Sequence, residues 1–230
     1  GSVIHFIGDA LLCCFNNDTG LRAVACALEM QRSMKEFQAV PTPKGGEVAM
    51  AMKAAVAFGT VRRFLAGDPT VQLLDVVAGA TVDRVADAEH VSGRGEVIVT
   101  PEVARHLAGQ LVINEWRGPF GVVVGLRDRV LPQPWPAQLA VGLEAQHLRP
   151  FLLPAVYDRI VKGSGEFLAE LRPVVVLFLR FMGVDYDLDD LAGEKIGAFS
   201  AWVQARVSQY GGDVLLLTTA DKGSHLYAVF

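Results

Sequence analysis

The residues most capable of chemistry in this chain of 230 residues are three aspartates in two places. Asp9 lies in a Gly-Asp-Ala turn between two apolar stretches, residues 3–7 and 11–15, which predict a β-hairpin. A carboxylate at the tip of a hairpin can bind a divalent cation, although Gly-Asp is also an ordinary turn pair. Asp83 and Asp87 are four residues apart in a predicted helix, where they form either an acid–base pair or a solvated helix face.

The composition argues against several classes of protein. With a formal net charge of −4, the chain has no basic surface for a polyanion, and nucleic acid is not an expected partner. The most apolar run, residues 174–179, ends at Arg180 and is far shorter than the roughly 18 residues of a membrane-spanning helix. The three cysteines show no CxxC spacing, so we expect neither zinc nor a disulfide framework and predict a cytoplasmic protein.

The spacing of apolar residues predicts strands and helices along the whole chain. Residues 16–19 offer caps for a helix that ends before Pro41. The apolar runs 48–58 and 61–65 lie on either side of Gly59 and predict a second hairpin. Further strands are predicted at 71–77, 95–99, 111–116, 121–126 and 173–181, and a strand pair at 214–230. Further helices are predicted at 79–91, 155–161 and 189–210, and one more begins with the cap at residue 100.

An internal repeat divides the chain. Residues 3–15 form a strand, an acidic turn and a strand ending in Phe, and residues 214–230 repeat this plan with Asp221 at the turn. Between the two copies, the three prolines of residues 131–136 mark a change of composition. The predicted domains are a first one at 1–127 that lacks its first strand, a proline-containing linker at 128–165, and the N-terminal part of a second domain at 166–230.

Four stretches, in this order and spacing, resemble the class III adenylate and guanylate cyclases: IGDALL (7–12), MKAAVAFG (52–59), AGATVDRVAD (78–87) and GEVIVT (95–100). The second half resembles the tandem-domain soluble type, in which a linker leads through ELRP (170–173) to DKGS (221–224). The closest resemblance is to bacterial multidomain adenylate cyclases with a downstream ATPase region. The chain would then be a fragment of such a protein.

The resemblance implies a fold and an activity. The fold would be α+β and ferredoxin-like, with an antiparallel sheet. The reaction would be the conversion of ATP to cyclic AMP and pyrophosphate, a lyase reaction of signal transduction. Two Mg²⁺ or Mn²⁺ ions would lower the pKa of the ribose 3′-hydroxyl and neutralise the triphosphate at the interface of two cyclase domains. The implied partners are therefore ATP and a second cyclase-like domain, in the same or another chain.

The resemblance assigns the metal role to the first copy. Asp9 matches the second metal aspartate of the family, and the first would lie on a strand before residue 3. In the second copy, Arg180 stands at the aspartate position. A cation cannot bind a cation, so we do not expect the second copy to be a metal-binding domain.

The resemblance places unsuitable residues at the transition-state positions. Asp83 stands where the family has an Asn that orients the ribose, and Asp87 where it has an Arg that stabilises the transition state. A carboxylate about 4 Å from the reacting phosphate would repel it by roughly 4 kcal/mol at an effective dielectric constant of 20. We therefore expect the Asn–Arg pair to lie beyond residue 230 and this chain alone to be inactive.

Two further family positions are also altered. Leucines occupy residues 215–217, where the lysine that reads the purine is expected, so the sequence does not decide between ATP and GTP. Bicarbonate-responsive relatives carry a Lys and an Arg where this chain has His5 and Ala86, although Arg84 could substitute in part. Bicarbonate binding is therefore not expected. These substitutions also favour the alternative function, a non-catalytic pseudo-cyclase module for regulation or dimerisation.

Overall fold

The computed structural model describes residues 2–134, 142, 144–163, 173–220 and 223–230, which combine strands and helices and confirm the α+β class. The strands are β1 (Ser2–Ile7), β2 (Ala10–Cys14), β3 (Val40–Pro41), β4 (Glu47–Val48), β5 (Ala54–Val56), β6 (Arg62–Ala66), β7 (Leu74–Ala78), β8 (Val97–Val99), β9 (Leu111–Arg117), β10 (Phe120–Leu126), β11 (Val176–Phe181), β12 (Asp213–Ala220) and β13 (Gly223–Val229). The helices are α1 (Leu21–Ser33), α2 (Ala80–His90), α3 (Pro101–His106), α4 (Ala145–Leu148), α5 (Pro154–Val161) and α6 (Ala192–Gln209).

The chain forms two compact units, residues 1–60 with 81–136 and residues 61–80 with 137–230. This division concerns packing, whereas the predicted boundaries at 127 and 165 concern which copy each segment belongs to. Those boundaries stay a prediction. No helix in the ranges given above is long and apolar enough to cross a membrane.

The first unit is built on a four-stranded sheet in the order β5-β8-β10-β9. Strand β5 runs parallel to β8, and the other neighbours are antiparallel, so this sheet is mixed and the expectation of an antiparallel sheet is wrong for it. Both faces of β8 are buried because its alternate side chains pack in two different clusters, Val97 and Val99 in one and Ile98 with Ala88 of α2 in the other. The larger cluster contains the buried residues Val24, Ala27, Leu28, Val56, Val97, Val99, Val103, Leu107, Leu111 and Val123.

The first predicted hairpin and the helix after it are confirmed. Strand β1 pairs with β2 so that Ile7 lies opposite Ala10, which leaves a two-residue turn of Gly8 and Asp9. Gly8 has a φ of +62°, a left-handed conformation that glycine adopts without strain. Asp18 caps α1, since its carboxylate accepts the backbone N–H of Arg22 at 3.2 Å and of Ala23 at 3.0 Å.

The second predicted hairpin is wrong. Residues 48–58 contain only the short strand β5 beyond the end of β4, and β5 pairs with β8 instead of with the run that follows it. Strand β6 pairs with β7, so the chain reverses at Gly67 and Asp68. There the Asp68 carboxylate accepts the backbone N–H of Thr70 at 2.8 Å, which fixes the turn locally.

The second unit is an antiparallel sheet in the order β11-β13-β12, packed against α6 and the β6–β7 hairpin. The paired strands β12 and β13 confirm the strand pair predicted for residues 214–230, while the predicted turn residues Asp221 and Lys222 lie outside the described residues. Helix α5 matches the helix predicted at 155–161. The core consists of Ala66, Leu74, Val76, Ile196, Val203, Val207, Val214, Leu217, Leu226 and Ala228.

Candidate functional site

Asp9 is exposed at the tip of the β1–β2 hairpin. The short turn holds the aspartate at the end of two paired strands, with the carboxylate accessible to a ligand. Among the residues that the structure describes, no group of three or more His, Cys, Asp or Glu side chains is placed to hold a metal ion. Asp9 can therefore supply one ligand, and a complete Mg²⁺ site would need carboxylates or other oxygen ligands from elsewhere.

Asp83 and Asp87 lie on α2, one turn apart, with Asp83 half-buried and Asp87 exposed. They share a helix face with each other, as their spacing predicts. This arrangement fits a solvated acidic face as well as it fits an acid–base pair.

Arg84 is engaged in holding the start of α2. Its guanidinium donates a hydrogen bond to Thr81 Oγ1 at 2.9 Å, and Thr81 in turn donates to the Thr60 carbonyl at 2.7 Å. Its Nε lies 3.7 Å from Glu102 Oε2 of α3, within ion-pair distance but too far for a good hydrogen bond. The pKa of Glu102 is lowered mainly by the hydrogen bond that its carboxylate accepts from the Glu102 backbone N–H. The positive charge of Arg84 lowers this pKa further.

The expected bicarbonate positions lie on two elements of the first unit. His5 is in β1 and Ala86 is in α2, where the Ala86 carbonyl is 2.9 Å from Nδ1 of His90. The Glu102 carboxylate lies within ion-pair distance of Arg84 and would compete with an anion for its guanidinium. That this chain does not bind bicarbonate stays a prediction.

The second-copy positions lie in the second unit. Arg180 is an exposed residue of β11, opposite His225 of β13. On β12, Leu217 is 1% exposed and belongs to the core, whereas Leu215 is 40% exposed beside an irregularity of the pairing. No charged side chain occurs at residues 215–217 to read a purine.

Sequence reasoning missed the polar residues that attach the β6–β7 hairpin to α6 and β12. Gln204 of α6 is 1% exposed and lies among the apolar positions Ile196, Val203 and Val207 on the buried side of the helix. A polar side chain on the apolar face of a predicted helix is the signal that could have identified it. Its Oε1 accepts the backbone N–H of Asp68 at 2.8 Å, and its Nε2 donates a buried hydrogen bond to the Gln72 carbonyl at 2.7 Å.

Comparison with known proteins shows a distant similarity to class III nucleotidyl cyclases. No protein-family model matches the chain. The whole chain aligns with "Adenylate cyclase type 10" of Rattus norvegicus at 23% identity over 269 residues and with that of Mus musculus at 23% over 272 residues. The alignment spans 16% of the length of each of these relatives.

Two solved structures are also similar to part of the chain. One is the catalytic core of a rhodopsin-guanylyl cyclase with converted specificity in complex with ATPalphaS, with 22% identity and a TM-score of 0.41 over 54% of this chain and 71% of that one. The other is the guanylate cyclase domain of RhGC from Catenaria anguillulae in complex with GTP, with 19% identity and a TM-score of 0.39 over 54% and 72%.

Proposed function

We propose that this chain is part of a cytoplasmic, tandem-domain class III adenylate cyclase that converts ATP to cyclic AMP and pyrophosphate. The observation that carries the proposal is Asp9, an exposed carboxylate at the tip of a two-residue hairpin turn within the sequence IGDALL. The similarity to adenylate cyclase type 10 along the whole chain supports it. We further propose a ferredoxin-like topology for each copy.

In this proposal Asp9 is one of the ligands of the two divalent ions, Mg²⁺ or Mn²⁺. Such ions neutralise the triphosphate and activate the attacking hydroxyl in reactions of this type. The described residues supply one of the carboxylates and do not form a complete two-metal site. The remaining ligands would come from a further cyclase-like segment, which fits relatives that are about six times longer than the aligned region.

The proposal also assigns the transition-state residues to another segment. Asp83 and Asp87 are negative where a developing negative charge needs a cation, and the repulsion estimated above would slow the reaction roughly a thousandfold. Arg180 cannot take the role of a metal ligand in the second copy. The chain would therefore contribute the metal-binding side of one composite site, and its partner the Asn, Arg and base-reading residues.

A non-catalytic regulatory or dimerisation module is the second candidate. Specific substitutions favour it, because carboxylates replace the Asn and Arg at positions 83 and 87, an arginine replaces the metal aspartate at position 180, and leucines replace the lysine at 215–217. A module of this kind would keep the fold and the interface and would have lost the chemistry.

An assay of the longer protein separates the two candidates. The full-length protein that contains this segment is incubated with ATP or GTP and with Mg²⁺ or Mn²⁺, and cyclic AMP and cyclic GMP are quantified. The cyclase proposal expects cyclic AMP from ATP, while cyclic GMP alone would correct the substrate. No cyclic nucleotide under any of the four conditions would overturn it in favour of the regulatory module.

A further inference from the structure

The sheet β11-β13-β12 of the second unit has an outer face, which faces away from α6. Leu179 and Phe181 of β11 pack in the core with α6. Successive side chains of a strand point to opposite faces, so Phe178 and Arg180 lie on the outer face. The same alternation on all three strands defines this face by residues that are exposed or half-buried: Val176, Phe178, Arg180, Leu216, Thr218, His225, Tyr227 and Val229.

Three side chains that can donate hydrogen bonds cross the outer face in one row, which we call the donor row. His225 of β13 lies directly opposite Arg180 of β11 on one side and Thr218 of β12 on the other. Neighbouring strands are about 4.8 Å apart, so the three residues start from backbone positions within roughly 10 Å of one another. A guanidinium offers a planar fork of N–H groups that matches a phosphate group, and an imidazole and a hydroxyl can each add a hydrogen bond. The donor row therefore has the chemistry of an anion-binding surface.

The described strands of this sheet place no carboxylate against the donor row. Nη2 of Arg180 lies 3.8 Å from the thioether of Met182, which is a weak acceptor. The single acid of strands β11, β12 and β13 is Asp213, which lies opposite Val229 at the other end of β12. It is roughly 16 Å along the strand from Thr218. The positive charge of Arg180 is therefore available to an anionic ligand on this face.

Two rings, which we call the aromatic row, lie beside the donor row. Phe178 is 50% exposed, and its ring centroid is 5.0 Å from that of His225. Tyr227 lies opposite Phe178, and the two rings meet edge to face at 5.1 Å and 68°. A flat organic group can pack on these rings while an anionic group attached to it contacts the donor row.

We propose that the outer face binds a small phosphate ester directly, with its phosphate on the donor row and its organic group on the aromatic row. Arg180 stands where the resemblance predicts a metal-binding aspartate, and a guanidinium at this position does not fit a divalent cation. The face holds the anion through charge and hydrogen bonds of the protein itself, without a metal ion. This inference goes beyond the proposed function, because it involves no catalytic step.

Titration of the 230-residue chain with phenyl phosphate in the presence of EDTA, followed by NMR of the backbone amides, tests the proposal. We expect saturable shifts at residues 178–180, 218 and 225–227, and weaker binding of inorganic phosphate, which lacks the ring. Arg180→Gln should weaken the binding of both ligands about tenfold, because it removes a charged donor from the row. The control is Arg206→Gln, which removes an exposed arginine of α6 that lies over Trp202, and it should leave both affinities unchanged.

A second variant, Phe178→Leu, separates the two rows. It should weaken the binding of phenyl phosphate severalfold and leave that of inorganic phosphate unchanged, because only the ring packs on the aromatic row. The proposal would be overturned by an absence of saturable shifts on the outer face, by equal affinity for the two ligands, or by equal losses in Arg180→Gln and Arg206→Gln. Binding that occurs only when Mg²⁺ or Mn²⁺ replaces EDTA would also overturn it. The titration measures no turnover, so its failure would not bear on the proposed function.

Discussion

Asp9 is the residue on which the proposed chemistry of this chain depends. In the longer protein, we predict that Asp9→Ala reduces cyclic AMP formation to below about one hundredth of the wild-type rate, because lost charge neutralisation at the phosphates cannot be supplied by neighbouring side chains. The same substitution should change the free energy of unfolding by less than about 0.5 kcal/mol, because the side chain is exposed in a turn. Steady-state assays and urea denaturation measure the two quantities.

Glu36→Ala is the matched control for Asp9→Ala. Glu36 is also an exposed acid outside the strands, and its removal should leave the rate unchanged. Near-normal turnover of Asp9→Ala in an active enzyme would mean that Asp9 is only a turn residue. An equal loss in both variants would point to a general effect of surface charge.

At the level of single residues, local patterns were sufficient for some positions and not for others. The exposed turn position of Asp9 and the cap of α1 by Asp18 both follow from neighbouring residues, because turns and helix caps are formed within a few positions. Gln204 was not predicted to contact the turn at Asp68, because those residues are far apart in sequence and only the folded unit brings them together. The roles of Asp9, Asp83 and Asp87 in catalysis stay predictions.

Two elements of the first unit are connected by an ion pair that should make stability depend on pH. Glu96, just before β8, accepts hydrogen bonds from Arg117 of β9 at 2.6 and 2.7 Å and from the Gly93 N–H at 2.6 Å. These bonds, with those from Arg117 foremost, lower the pKa of Glu96 below its usual value. The ionised carboxylate therefore stabilises the folded state above the unfolded pKa of about 4.3, and this contribution is lost as pH falls through the lower folded pKa.

Glu96→Gln tests this connection. We predict a loss of about 1 kcal/mol in the free energy of unfolding at pH 7, modest because the side chains are 33% and 26% exposed, and convergence with the wild type at acid pH. Urea denaturation at a series of pH values measures both. Glu29→Gln removes an exposed carboxylate paired with Arg32 on α1 and serves as the control. A difference that is independent of pH would contradict the assigned cause.

At the level of elements, the residues that form strands and helices could be predicted more easily than the pairing between strands. The turn at Gly8 and Asp9 specifies its own hairpin, so β1 and β2 were paired correctly. The error at 48–65 arose because Gly59 offered a plausible turn, while β5 pairs in parallel with β8, a contact that spans about 40 residues. Periodicity predicts which residues form a strand but carries no information about a partner at that distance.

At the level of the whole molecule, the chain passes between its two compact units after residues 60, 80 and 136. Sequence analysis placed residues 61–80 in the first copy because they lie between two of its family-like stretches. In the structure these residues pack with residues 137–230, and their assignment to the first copy stays a prediction. The apolar side chains of the β6–β7 hairpin pack in one cluster with those of α6, β12 and β13.

The alignment with adenylate cyclase type 10 covers the whole chain but 16% of the relative's length. In the function proposed above, Asp9 supplies one carboxylate of a composite site, and the acids at 83 and 87 are unsuited to its transition-state side. We therefore propose that this chain supplies a metal ligand and that a further segment supplies the transition-state residues.

The most direct test compares the purified 230-residue chain with the longer protein in the same assay, using ATP and Mn²⁺ and measuring cyclic AMP. Equal molar amounts are used, and a folded sample of the chain is verified by circular dichroism. We predict product from the longer protein and none above the blank from the chain alone. Cyclic AMP formed by the chain alone at a comparable rate would contradict the account, because it would show that these residues contain a complete site.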